Sequence, residues 1–185
     1  MRTSGLGNLG RRWVLSLGVI AFAPPSPLPA QSAQPFSIQS SGALVFPSES
    51  EPGFESDTRF GFDVQARYTH SRWSVGVGYQ RSTVFRSSSA DVSAALSLFF
   101  LEPRFVVAAD RNVGAYLAGR VGLGKLVCNP DRCGQPNYAT FGGGGGLLVR
   151  LSRALAVDVG AQFFTVTDDA NTGYFLARVG LGLGL

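Results

Sequence analysis

Seven charged residues could act together if the fold gathers them: Asp63, Arg67, Glu102, Arg104, Arg120, Asp158 and Arg178. Carboxylates in differing environments can divide into a general acid and a general base. Charged rings can also line a selective pore, and buried guanidinium–carboxylate pairs can simply neutralise one another. Three smaller constellations compete with this one. Cys128 and Cys133 enclose Asn-Pro-Asp-Arg; His70 stands beside Ser71; and Gly119-Arg-Val-Gly-Leu-Gly124-Lys125-Leu126 approaches a phosphate loop. Which chemistry is available depends on the elements that carry these residues.

Those elements are strands. Residues 60–69 place Phe60, Phe62, Val64, Ala66 and Tyr68 on one face and Gly61, Asp63, Gln65, Arg67 and Thr69 on the other, a strict period of two. After His70-Ser71-Arg72 the alternation resumes with Trp73, Val75, Val77 and Tyr79, which predicts an antiparallel hairpin. The same pattern gives a first strand over 36–46, with Phe36, Ile38, Leu44 and Phe46 opposite Ser37, Gln39 and Ser41. Between Ala94 and Ala108 the phase with Phe99, Leu101, Pro103, Phe105 and Val107 outside turns Glu102 and Arg104 inward. A fifth strand, from Val113 to about Lys125, turns Tyr116 and Arg120 inward, and a sixth covers 140–151. The seventh, 155–166, turns Asp158 and Gln162 inward, and the eighth, 174–185, does the same with Tyr174 and Arg178.

Eight strands match the even count of bacterial outer-membrane barrels. The connectors at 70–72, 109–112 and 152–154 are short, whereas those at 47–59, 82 to about 93, 127–139 and 167–173 are longer and polar. That division predicts periplasmic turns at one end and extracellular loops at the other. On the apolar face, Phe36, Tyr68, Trp73 and Phe105 fall near the short-turn rim, and Phe46, Phe60, Tyr79, Phe141, Phe163 and Phe175 near the other. With about 3.3 Å per residue and a tilt of about 40°, such rims lie roughly 20 Å apart, close to an outer-membrane apolar band. A soluble barrel keeps its apolar face in the lumen, the reverse of this arrangement.

The chain holds 16 basic and 12 acidic residues, a net charge of +4. Arg2, Arg11 and Arg12 precede the apolar run from Trp13 to Ala23, the pattern of a secretory signal peptide over 1–30, cleaved after Ala30 or after Ala33. Without them the balance is 13 to 12, too even for a nucleic-acid partner. No apolar run of 18 residues follows Ala30, so residues 34–185 must cross a membrane as strands or not at all.

The residues Leu101-Glu102-Pro103-Arg104-Phe105 with 116–122 (Tyr-Leu-Ala-Gly-Arg-Val-Gly), and the Gly-rich segment 142–147, resemble those of the OmpA/OmpX-type group of small outer-membrane β-barrels. The C-terminal segment Arg178-Val-Gly-Leu-Gly-Leu-Gly-Leu185 resembles the signal read by the barrel-assembly machinery, although it ends in Leu rather than Phe. The likeness covers 36–185 and implies an all-β, eight-stranded, up-and-down transmembrane barrel in the bacterial outer membrane. It implies no single activity.

Within such a barrel the seven charged residues become an ionic cluster that plugs the lumen, since eight strands leave room only for side chains. The inward glycines at 142, 144, 146, 180 and 182 are expected to make space for the arginines. In an oxidising compartment Cys128 and Cys133 are expected to form a disulfide; the spacing is not C-x-x-C and no His accompanies it, which argues against redox or metal chemistry. The phosphate-loop likeness fails because it lies in a strand and lacks the Ser or Thr for Mg²⁺. His70 reads as a solvated turn residue. Glu49, Glu51, Glu55 and Asp57 make the first long loop acidic, while Arg59, Arg81 and Arg86 lie near the outer rim. These arginines could meet lipopolysaccharide phosphates and the acids bridging divalent cations, although an ordinary solvated loop has the same composition. The expected protein is a monomer without catalysis, cofactor or metal, acting structurally or through its loops on an unidentified surface partner. A narrow porin-like channel is the first alternative, and a secreted soluble ligand-binding barrel the second.

Overall fold

The computed structural model describes residues 34–47, 59–87, 92–129, 137–167 and 173–185. The signal segment, the long connections, Cys133 and the side chains of Cys128 and Arg86 lie outside the described residues. Eight strands follow one another: β1 (Phe36–Pro47), β2 (Arg59–His70), β3 (Trp73–Ser87), β4 (Val92–Ala109), β5 (Val113–Asn129), β6 (Asn137–Arg150), β7 (Leu155–Thr167) and β8 (Gly173–Gly184). Each pairs antiparallel with its neighbours in sequence, and β1 pairs with β8 from Ser37↔Gly184 to Pro47↔Tyr174. The meander is therefore closed, which leaves no sheet edge with unpaired backbone groups. No helix among the described residues is long and apolar enough to cross a membrane.

Alternation in the sequence becomes alternation in burial. Along β2, Asp63, Gln65 and Arg67 are buried while Phe60, Phe62, Val64 and Tyr68 are exposed. The phase assigned to β4 also holds, with Glu102 and Arg104 buried and Phe99 and Leu101 exposed. Phe60, Phe99 and Leu123 are more than two-thirds exposed, and they belong to an apolar exterior that continues around every strand. Soluble monomers rarely expose contiguous apolar patches beyond a few hundred Å².

Four strand ends reach two residues or more beyond the sequence reading. β3 runs on to Ser87 and β4 begins at Val92, so most of the connector expected from 82 onward is paired strand. The segment 82–87 lacks clean alternation because the β3–β4 register shifts between Thr83 and Phe85, where a bulge changes which side chain faces out. The two strands are separated in sequence by 88–91, a segment no longer than the short connection 151–154. Likewise β5 reaches Asn129 and β6 starts at Asn137, so Cys128 belongs to strand backbone rather than to the loop.

The role given to the inward glycines also changes. A Cβ at Gly142, Gly144 or Gly146 would run into the backbone of β7, not into a guanidinium. These residues permit a close approach of β6 to β7 where the small barrel curves. A bulkier residue at Gly144 should therefore destabilise by overpacking, by about 1–3 kcal/mol, whereas a Cβ added at Gly42 would have no atom within 4 Å of it. Urea unfolding of the refolded barrel should show a lowered midpoint for Gly144→Val and little change for Gly42→Val; equal midpoints would refute the close-approach account.

Candidate functional site

Glu102 lies at the middle of the interior, fully buried. Its Oε1 accepts hydrogen bonds from Arg67 Nη2 at 2.8 Å, Arg104 Nε at 2.7 Å and Arg178 Nη2 at 3.0 Å. Its Oε2 accepts from Arg120 Nε at 2.7 Å, from Arg120 Nη2, from Arg178 Nη1 at 3.0 Å and from Gln162 Nε2 at 3.1 Å. One carboxylate thus gathers four guanidinium groups from β2, β4, β5 and β8.

Two further acids balance the outer members of this group. Asp158 Oδ2 accepts from Arg104 Nη1 at 2.5 Å and Oδ1 from the Tyr116 hydroxyl at 2.6 Å. Asp63 stands farther off, 3.7 Å from Arg120 and 3.8 Å from Arg178. All seven residues named from the sequence are buried, with exposures between 0% and 4%. The structure brings them into one connected network.

Register explains how long side chains from separate strands converge. Arg67, Gly76 and Glu102 occupy one row across β2, β3 and β4, and a Cβ on Gly76 would collide with the Arg67 guanidinium. Arg178 pairs in register with Gly160, and Arg120 with Gly142. Pro103, which has no N–H to donate, interrupts the β4–β5 ladder beside Glu102, between Leu101↔Val121 and Arg104↔Ala118.

Several members are not singled out by the sequence. Gln65 joins Arg67 Nη2 at 2.8 Å and Gln39 at 3.1 Å, and Gln80 accepts from Arg120 Nη1 at 2.6 Å. Arg120 also stacks over Phe100, 3.9 Å from the ring centroid, a cation–π contact. The inward phase of each strand is the available signal for these amides. Arg59 is a correction. It shares the inward phase of Asp63 and is buried, so it does not face outer-rim lipid.

Above the network the interior becomes mainly apolar, with Arg59, Ser82 and Thr140 also buried in those rows. Ala43, Val45, Phe164 and Leu176 form one cluster and Leu96, Leu98, Phe100 and Val166 another, with Tyr174 packed against both. Arg81 and Lys125 point outward instead, in one register row with Ser97 and Asn137. Beneath that row lie Tyr79, Phe99 and Leu123.

The ten aromatics assigned to the rims all lie in the outward phase of their strands. Phe36 packs on Tyr68 at 5.1 Å and Trp73 on Phe105 at 4.6 Å at the short-turn rim. At the other rim Phe46 packs on Phe175 at 6.0 Å, and Tyr79 on Phe99 at 5.3 Å. Phe60, Phe141 and Phe163 are exposed along that rim. Phe62 extends the belt through Tyr79 at 6.4 Å.

The buried carboxylates are engaged by guanidinium groups or held among them, and no group of three metal-ligating side chains occurs among the described residues. His70 is exposed, and Ser71 takes a positive φ of 54° in the adjoining turn.

No protein-family model matches the sequence, and no curated protein matches it. Solved structures do. Neisserial surface protein A superposes with a TM-score of 0.67 at 17% identity, over 81% of this chain and 97% of that one. The attachment invasion locus protein Ail of Yersinia pestis gives 0.57 at 17% identity, over 80% and 96%. The N-terminal β-barrel domain of Pseudomonas aeruginosa OprF gives 0.51 at 12% identity, over 80% and 96%. The fold is that of small eight-stranded outer-membrane barrels, as the resemblance in the sequence implied.

Replacing Glu102 by Gln keeps the shape of the side chain but leaves four guanidinium groups facing two carboxylates. Removing one partner from a buried charge network costs about 3–5 kcal/mol. Unfolding of Glu102→Gln in urea should show a loss of that size, with a correspondingly lower temperature for the heat-dependent shift on a denaturing gel. A loss below about 1 kcal/mol, the scale of an exposed pair, would mean that Glu102 does not hold the network.

Proposed function

We propose that this chain is a sealed bacterial outer-membrane barrel that acts as a structural element and presents its long connections to a surface partner. The observation that carries this reading is the two-layered interior, an ionic network beneath an apolar plug, inside a wall whose outward face is apolar. Both layers fill the lumen with side chains, as expected of an eight-stranded wall, which encloses little more than its own side chains. A soluble ligand-binding barrel would require the opposite polarity on both faces.

Orientation follows from the same arrangement. The short connections face the periplasm, and the ends of β3, β4 and β5, which exceed the other strands in length, project outward. Two of the similar folds carry surface location or attachment in their own names, which supports, by analogy of fold alone, a partner at that end. Secretory export through the N-terminal segment and recognition of β8 by the barrel-assembly machinery complete the proposed route.

The outer-leaflet lipid is the nearest partner. Arg81 and Lys125 flank Ser97 just above an exposed aromatic and aliphatic row, the placement in which cations meet lipopolysaccharide phosphates while the residues below meet acyl chains. Lys125 takes the place that spacing alone assigned to Arg59.

The intact barrel should fractionate with the outer membrane and show no single-channel steps in planar bilayers; reproducible steps would replace this reading with the narrow channel. The double variant Arg81→Gln/Lys125→Gln should fold normally but retain less phosphorylated glycolipid through purification, read by mass spectrometry. Unchanged retention would remove these two residues from lipid contact.

A further inference from the structure

At the short-turn end the interior opens into a small vestibule of about 50 Å³. Arg67 and Arg104 line its inner wall, and Arg150 and Arg153 stand on the turn side of it. Thr69 and Ser74 add hydroxyls, and no carboxylate is among the described residues that line it.

The charges beneath this vestibule do not cancel. Four buried guanidinium groups, of Arg67, Arg104, Arg120 and Arg178, meet three buried carboxylates, of Asp63, Glu102 and Asp158. Arg150 continues the inward phase of β6, after Leu148, and adds a second uncompensated charge at the same end. Arg59, near the opposite end of β2, makes contacts of its own and does not enter this count. An unbalanced charge is costly in a low-dielectric interior, and a concave surface of one sign focuses its field on the space it encloses.

Two donors in this arginine wall are unsatisfied. Arg67 Nε and Arg104 Nη2 are buried without a hydrogen-bond partner. Ser74 Oγ accepts from Arg67 Nη1 at 3.0 Å, which leaves the Ser74 hydroxyl proton free to donate elsewhere. Guanidinium forks match the geometry of a tetrahedral or carboxylate oxyanion and bind a halide less well.

We propose that the short-turn vestibule binds a small oxyanion, of the phosphate class, which supplies the negative charge that the interior network lacks. The site rests on the barrel's charge and shape and is independent of the orientation and role proposed above. Binding from the short-turn side would close the charge count without disturbing the bonds around Glu102.

Inorganic phosphate is the probe. The full chain, refolded in detergent micelles, is titrated with phosphate by calorimetry while chloride holds the ionic strength constant. Saturable binding of one phosphate per barrel is expected. Arg150→Gln should weaken it by about tenfold, as expected for loss of a charge-assisted contact, whereas Arg111→Gln, an exposed arginine in another short turn, should leave it unchanged. Should Arg150→Gln fail the heat-dependent gel test for folding, Arg153→Gln serves in its place with the same expected loss. Absence of saturable binding, or equal weakening by the vestibule and turn variants, would overturn the proposal and reduce the effect to diffuse attraction by a basic rim.

Discussion

The structure depends on one constraint: a closed eight-stranded wall leaves an interior just wide enough for the side chains that point into it. Charges placed there cannot be screened by bulk water, so each must find partners among its neighbours. Glu102 meets this demand by a division of its two oxygens, Arg67 and Arg104 on one, Arg120 on the other, and Arg178 across both. A carboxylate has about four lone-pair directions, and seven hydrogen bonds from five residues share this one. The strands supplying the arginines are thereby tied across the barrel as well as along the ladders.

That concentration has a structural cost which the glycines offset. Guanidinium groups reach the centre by lying over the neighbouring strand, and Gly76 is the position over which Arg67 crosses, while Gly160 leaves room for the Tyr116 hydroxyl. On β6 the glycines answer a different demand, since Gly142, Gly144 and Gly146 meet β7 backbone. A single residue type therefore solves two problems, clearance for side chains on one arc and curvature on another. Neither use involves the conformational freedom for which glycine is usually chosen in turns.

Much of this is legible in the sequence because alternation fixes both strand type and facing. On β2 every inward residue from Gly61 to Thr69 is polar or Gly and every outward one from Phe60 to Tyr68 apolar, so Asp63 and Arg67 can be placed without a structure. The assignment for β4 is harder, because Leu96-Ser-Leu-Phe-Phe-Leu101 is apolar in both phases; only Glu102 and Arg104 distinguish them. For the same reason the apolar layer made by Leu96, Leu98 and Phe100 is not legible: nothing in a doubly apolar run marks which residues meet lipid and which meet a core. Arg59 fails in the other direction. Proximity to the rim suggests an outward cation, although its even spacing from Asp63 already places it on the inner face. The extended ends of β3 and β4 escape detection because a bulge near Thr83 breaks the period that identifies a strand.

The two layers of the interior are consequences of different physics, and together they limit what the molecule can do. The ionic layer is directional: it fixes specific strands at specific heights, and displacement of one arginine removes donors from the carboxylate or amide that it engages. The apolar layer above it is tolerant of shape but excludes water, so it keeps the local dielectric low and strengthens the bonds beneath it. Transport would require opening both layers at once, one at the expense of buried ion pairs and the other at the expense of packed apolar surface. That coupling is the physical basis of the sealed barrel proposed above. In such a barrel the two ends are where a side chain can change without disturbing Glu102: the outward connections on one side, and the arginine-lined vestibule on the other.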